Sequence, residues 1–206
     1  YKALHTVLEY KEGVAFLVVS GGWENKGETG PGRAVGVVLF VEKTIGKTTG
    51  WLGYTLAKSD RLFPTINHGE RFPYRYDRRH SINLVVNHRF SEKFDLSATW
   101  NYASGGTTTI AERRIVVSAP GGNLRETDLV SSRNNYRLPS SHTLNVGFNF
   151  HRRHRRGESV WNLSIYNVYN HMNPTLVLKE SSTNAVKLKK ITLLPFFPSL
   201  GYTRNF

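Results

Sequence analysis

The chain has 206 residues, with 28 Lys and Arg against 15 Asp and Glu and a formal charge of +13. Hydrophobic residues make up 39%, aromatics 12%, and there are 18 Gly, 8 Pro and no Cys. This composition disfavours a helical bundle and excludes disulfide scaffolds and cysteine-ligated zinc modules; the apolar runs are only a few residues long, which excludes a transmembrane helix.

Tyr1–Tyr10 opens the chain as the first predicted strand. Val35, Val37, Leu39 and Val41 share one side of the second, and Leu52, Tyr54 and Leu56 one side of the third. Ile82, Leu84, Val86, His88 and Phe90 oppose Asn83, Asn87 and Arg89 in the fourth. In the fifth, Phe94, Leu96, Ala98, Trp100 and Tyr102 alternate with Asp95, Ser97, Thr99 and Asn101. Leu144, Val146, Phe148 and Phe150 alternate with Asn145, Gly147 and Asn149 in the sixth. Trp161, Leu163, Ile165 and Tyr169 oppose Asn162, Ser164 and Tyr166 in the seventh, and Leu194–Phe206 ends the chain as the eighth. Strict period two means a strand with one apolar and one polar face.

Most of these strands are predicted to be about 10–12 residues long, matching the roughly 9–11 that a tilted strand needs to cross a bilayer. Strands in soluble sheets run to about 5–6 residues. The polar faces are Asn, Ser, Thr and Gly, small and uncharged. That suits apolar side chains facing lipid around a wet interior. Short turns (Thr44–Thr49, Ser91–Lys93, Arg152–Glu158) alternate with long loops (Gly13–Gly32, Ser59–Arg79, Gly105–Ser140, His171–Lys190). This is the rhythm of an antiparallel up-and-down transmembrane β-barrel with periplasmic turns and extracellular loops. On that assignment the last strand runs down and Phe206 ends at the periplasm. Aromatics at strand ends (Tyr54, Phe90, Phe94, Trp100, Tyr102, Trp161, Tyr169, Phe206) read as headgroup-level girdles; the plainer reading is that aromatic residues favour strands.

Five stretches together resemble a known family. Lys43–Ser59 reads K-T-I-G-K-T-T-G-W-L-G-Y-T-L-A-K-S and Phe72–His80 reads F-P-Y-R-Y-D-R-R-H. Asn134–Pro139 reads N-N-Y-R-L-P, Ser164–Pro174 S-I-Y-N-V-Y-N-H-M-N-P, and Leu194–Phe206 L-P-F-F-P-S-L-G-Y-T-R-N-F. The chain resembles the C-terminal barrel portion of TonB-dependent outer-membrane receptors of the Bacteroidota type, in the SusC-like or carboxypeptidase-regulatory-like subgroup. It departs from them at Val38, where a Glu is frequent, and at Arg204, where an apolar or aromatic residue is usual. An Arg204 facing lipid has to sit near the interface and snorkel.

The resemblance implies a 22-stranded barrel plugged by an N-terminal domain, of which residues 1–206 form the last eight or so strands of one barrel domain. The start at Tyr1, without a leader, points to a mature protein or an excised piece. A cell-outer-membrane location and energy-coupled nutrient uptake are implied. So are partners: outer-membrane lipid and lipopolysaccharide, the barrel-assembly machinery, the N-terminal barrel and plug, and the TonB coupling complex acting through them. A surface lipoprotein lid is left open. Leu200, Tyr202 and Phe206 are the implied assembly signal. Substrate contacts are expected from the long loops, with Phe72, Tyr74, Tyr76, Asn135 and Tyr136 as candidates; the alternative for each is packing against the barrel rim.

Catalysis is not expected, and neither is a cofactor or a metal. Gly46-Lys47-Thr48 lacks the upstream Gly of a phosphate loop, since Val41 stands there. Gly30–Gly36 has the wrong spacing for a dinucleotide loop and precedes a strand. His151 and His154 lie among four Arg, which repel a cation. Asp77, Arg78, Arg79 and His80 have no placed nucleophile and read as loop ion pairing. Asn162-Leu163-Ser164 fits a glycosylation sequon in mid-strand. The cations gather in turns and loops, as anionic lipid headgroups favour; a nucleic-acid groove would interleave them with aromatics, so no nucleic-acid partner is expected. Two rival classes remain: a passive or structural outer-membrane barrel such as a small porin or adhesin, and a soluble basic β-protein binding nucleic acid.

Overall fold

A computed structural model describes residues 1–11, 26–118, 122, 124–155, 157–173, 176–182, 185–192 and 194–205. These residues are all-β, without an α-helix. In chain order the strands are β1 (Lys2–Tyr10), β2 (Gly27–Lys43), β3 (Thr48–Arg61), β4 (Phe72–Pro73), β5 (His80–Ser91), β6 (Phe94–Ala103), β7 (Thr107–Thr108) and β8 (Arg113–Ser118). They continue as β9 (Leu124–Leu129), β10 (Tyr136–Arg137), β11 (Ser141–His154), β12 (Gly157–Tyr166), β13 (Leu176–Ser182), β14 (Ala185–Ile191) and β15 (Phe197–Asn205).

The main sheet runs β1-β2-β3-β5-β6-β11-β12-β15, with β4 beside β3. These eight path strands match the eight strands expected from the sequence, and the pairings along the path are antiparallel. The path has two ends, so the sheet is open. Bulges fall between Leu4 and Val7 and between Arg89 and Ser91.

Several boundaries differ from the sequence reading. β2 starts at Gly27, inside the span read as loop, because Gly27–Ala34 pair with β1. Residues 13–25 of that loop lie outside the described residues. β12 ends at Tyr166 rather than continuing to Tyr169, since Asn167 takes a left-handed φ of 53°. The loops at 105–140 and 171–190 contain paired strands of their own: β7 with β10, β8 with β9, and β13 with β14.

The chain forms two compact units, and β2 and β3 contribute to both. The first comprises Tyr1–Gly36, Ala57–Arg79 and Gly105–Leu138. Its core is Phe63, Ile66 and Phe72, with Val7 packed against them and the Phe63 and Phe72 rings 6.0 Å apart. A Cβ on Gly30 would meet the Leu62 carbonyl at 2.2 Å, so only glycine lets β2 approach here. Around this core Asp60 accepts from Arg33 Nε at 2.8 Å and Arg71 at 2.9 Å.

The second unit comprises Val37–Leu56, His80–Ser104 and Pro139–Phe206. Among the described residues none of its apolar side chains is buried; its buried side chains are Ser159 and Asn167. Asn167 forms a corner after β12. Its amide bonds both the N–H and the carbonyl of His171, at 3.0 and 2.9 Å, and its own N–H donates to Asn145 Oδ1. Asn170, also left-handed at φ 52°, accepts from the Phe196 N–H at 3.0 Å.

Candidate functional site

The second unit is a two-faced sheet whose registers keep every rank on its own side. One rank runs Val86, Ala98, Val146, Ile165 and Pro198 across β5, β6, β11, β12 and β15. The next runs Leu96, Phe148, Leu163 and Leu200. On β2, Val37 is 69% exposed, and on β15 Leu200 is equally so. A sheet in water hides one face against another layer; this apolar face is uncovered among the described residues.

Aromatic rows bound that face. Near the short turns, Phe90 stacks on Phe94 (5.3 Å) and Phe94 on Phe150 (5.1 Å), Trp161 meets Tyr202 at a tilt (4.7 Å), and Phe150 and Trp161 are register partners. Near the long loops, Tyr102 stacks on His142 and His142 on His171 (3.8 Å). There Trp100 Nε1 donates to the Tyr169 hydroxyl at 3.2 Å, and Tyr54 OH lies 2.9 Å from His80 Nδ1. Phe94 and Tyr102 are the ends of this span on β6, eight residues or about 26 Å apart along the strand.

The opposite face is a hydrogen-bonded polar surface. Asn162 Nδ2 donates to Asn149 Oδ1 and Asn149 Nδ2 to Asp95 Oδ1, each at 2.6 Å. His151 continues the chain, with Nε2 2.5 Å from Asp95 and Nδ1 3.2 Å from Glu158. Beside it lies a hollow of about 300 Å³ lined by Ser97, Thr99, Asn145, Gly147, Asn162 and Ser164. A Cβ on Gly147 would lie 2.7 Å from Ser97 Oγ, so glycine keeps the floor of this hollow low. One apolar island interrupts the face: Phe40 and Trp51, rings 5.9 Å apart, with Val85 opposite Trp51.

The candidate ligand residues lie in the first unit. Phe72 is 2% exposed and belongs to the core. Tyr74 lies under the Arg61 guanidinium at 3.9 Å and meets Tyr76 edge-on at 5.4 Å. Tyr76 is 66% exposed. Asn135 braces a loop, bonding Ile110 N, Ile110 O and Glu112, and Tyr136 pairs with Thr108. The Ser131 hydroxyl and the Asn135 amide, both donating to Glu112, hold its carboxyl below the usual range. The fold thus brings Tyr74 and Tyr76 together and gives Phe72 and Asn135 structural work.

The loop ion pairing read from the sequence is present between Asp77 and Arg79, at 2.9 Å, but Asp77 is also the buried hub of this unit and reaches Arg137, which the sequence did not show. Asp77, 1% exposed, accepts from Ser59 N (2.6 Å), Arg79 Nε (2.9 Å) and Arg137 (2.6 Å). Arg137 also donates to the carbonyls of Asp77 and Gly105. Burial pushes the Asp77 carboxyl up. The Ser59 N–H and the two guanidiniums outweigh it, and the net shift is downward.

In the terminal strand, Leu200 and Tyr202 lie exposed on the apolar face, and Phe206 is outside the described residues. Arg204 stands on the same side, opposite Ser159 at the short-turn end. Gly46-Lys47 falls in the β2–β3 turn, with Gly46 at φ 102°. His154 Nε2 lies 2.8 Å from Ser159 Oγ. Among the described residues no three His, Asp or Glu side chains converge as metal ligands. Comparison with known protein families, curated proteins and solved structures finds no match for this chain.

Proposed function

We propose that this chain forms part of the wall of an outer-membrane β-barrel, of the TonB-dependent receptor kind, that takes up a nutrient by energy-coupled transport. The observation that carries the membrane part is the uncovered apolar face bounded by two aromatic rows and backed by an Asn-rich face. Lipid covers such a face, aromatic rings sit at its two interfaces, and polar residues line a wet lumen. The roughly 26 Å between rows, at a strand tilt of about 40°, spans about 20 Å of bilayer height, close to the usual apolar band.

The open margins β1 and β15 carry the next step. Hydrocarbon does not tolerate an unpaired strand edge. The two margins therefore pair with each other, closing eight strands, or with further strands; the family resemblance and the long loops favour the second, a barrel larger than eight. Energy coupling rests on the family resemblance of the motifs alone.

Single-tryptophan forms of the full-length protein test the membrane reading. In vesicles with brominated acyl chains, Trp161 is expected to be quenched and Trp51 spared. Equal quenching of both, or recovery in the aqueous fraction without detergent, overturns it. Uptake lost in a deletion strain and blocked by a protonophore is expected of a coupled receptor; uptake indifferent to the protonophore favours a passive barrel.

A further inference from the structure

The short turns of the second unit are stitched side by side. Arg89 N donates to Lys47 O and His151 N to Lys93 O, both at 2.8 Å. They form one continuous rim at the end of the sheet where Phe90, Phe94, Phe150, Trp161 and Tyr202 make their row. One rank beyond that row, on the same apolar face, the register sets Arg152, Ser159 and Arg204 side by side. Arg152 and Arg204 are exposed and flank Ser159, which is 2% exposed with His154 over its hydroxyl. The nearby carboxylates Asp95 and Glu158 are turned to the polar face, bonded to His151. Glu92 lies 3.6 Å from Arg153 in an exposed pair.

We propose that Arg152 and Arg204 form a headgroup site for an anionic phospholipid at the short-turn rim. This rests on the membrane reading above. Two residues past the aromatic row is about 7 Å along the strand, the step from the acyl boundary to the phosphate level. Guanidiniums on alternate strands, about 10 Å apart at the backbone, can close on one phosphodiester from both sides, and the forked donors of Arg suit that group. Around the rim Lys43, Lys47, Lys93 and Arg155 outnumber Glu42 and Glu92, and the net positive potential favours an anionic lipid over a zwitterionic one. A nucleic acid fits less well, because the aromatics form a separate row on an apolar face instead of alternating with the cations.

The test uses full-length protein in neutral detergent, offered phosphatidylglycerol and phosphatidylcholine in equal amounts, with retained lipid counted by native mass spectrometry. Phosphatidylglycerol is expected to be enriched, and R152Q/R204Q to lower that enrichment about tenfold while Lys2→Gln leaves it unchanged. Equal enrichment in wild type and double variant overturns the site. Displacement of the lipid by inorganic phosphate or by a DNA duplex at matched charge overturns lipid as its ligand. A second readout needs no variant: brominated phosphatidylglycerol is expected to quench Trp161 more than brominated phosphatidylcholine at equal mole fraction, and equal quenching counts against the site. Insertion into both lipids without preference fails this proposal alone, whereas a protein that stays in water without detergent fails the membrane reading beneath it.

Discussion

The carboxylate of Asp77 and the guanidinium of Arg137 meet at 2.6 Å across sixty residues of chain. The pair joins the segment after β4 to β10, and Arg137 spreads its second nitrogen over two backbone carbonyls. Arg137→Gln leaves a buried carboxylate short of a charge partner and is expected to destabilise the first unit by about 3 kcal/mol. Chemical denaturation followed by proteolysis of the 105–138 segment reads this.

The same carboxylate sets an acid limit. Its folded pKa is depressed, so its stabilisation is fully present above the unfolded value of about 4 and is lost as pH falls through the lower folded value. Wild type is expected to lose stability below about pH 4 more steeply than Asp77→Asn, which starts less stable and changes less. Parallel slopes for the two proteins between about pH 5 and pH 2 count against this role.

Gly50 and Gly53 share one strand and should respond differently. A Cβ on Gly50 would lie 2.1 Å from the Val85 carbonyl, a backbone atom of the paired strand. On Gly53 the nearest atom is in the Trp51 ring at 3.5 Å, an ordinary contact. Gly50→Ala is expected to cost about 3 kcal/mol or more by forcing β3 off β5, and Gly53→Ala to stay within about 1 kcal/mol. Heat-modifiable gel migration and denaturant midpoints compare them.

Ala98 and Thr99 are neighbours on opposite faces, Ala98 midway between the aromatic rows. If lipid bathes the apolar face, Ala98→Arg costs about 2–4 kcal/mol, far more than Thr99→Arg on the wet side. In water the half-buried Ala98 can carry an arginine whose stem lies along Val86 and Val146 while its guanidinium stays solvated, so the cost stays near 1 kcal/mol, roughly, and the two faces respond alike. Folding titrations into lipid vesicles read the difference.

Phe72 and Tyr76 separate structure from recognition. Phe72→Ala empties a core of three buried side chains and is expected to cost about 3–5 kcal/mol. Tyr76→Ala removes an exposed ring, should leave stability within about 0.5 kcal/mol, and acts on uptake if this ring touches the cargo. A large stability loss from Tyr76→Ala assigns it to packing instead.

Period two was a sound guide wherever both strand neighbours obey it. Leu144 to Phe150 alternates with Asn and Gly, and its partners Phe94–Trp100 and Trp161–Ile165 alternate in phase, so the faces were legible before any register was known. Phe40 and Trp51 were less so. They fall out of phase with Leu39 and Leu52, and the side they occupy follows only from which strands meet. The β8–β9 hairpin left a weak trace: β-branched Ile115, Val116 and Val117, then Ala-Pro-Gly-Gly-Asn. Charges on both sides masked it. The local Asp77–Arg79 pair could be read, but the reach to Arg137 could not, because no local pattern relates position 77 to position 137; β7 pairs with β10, and Thr107 N donates to Arg75 O, which closes that distance.

The paired corner at Asn167 and Asn170 bears on how this protein can vary. One asparagine fastens the chain at His171 and the other at Phe196, so both feet of the β13–β14 excursion are pinned within a few residues of each other. What lies between the pins can lengthen, shorten or be replaced by an unrelated segment at little entropic penalty, because closure is already fixed at the base. The excursion is the natural place for a tag, a cargo-specific insert or lineage-to-lineage diversity, while β12 and β15 keep their register beneath it.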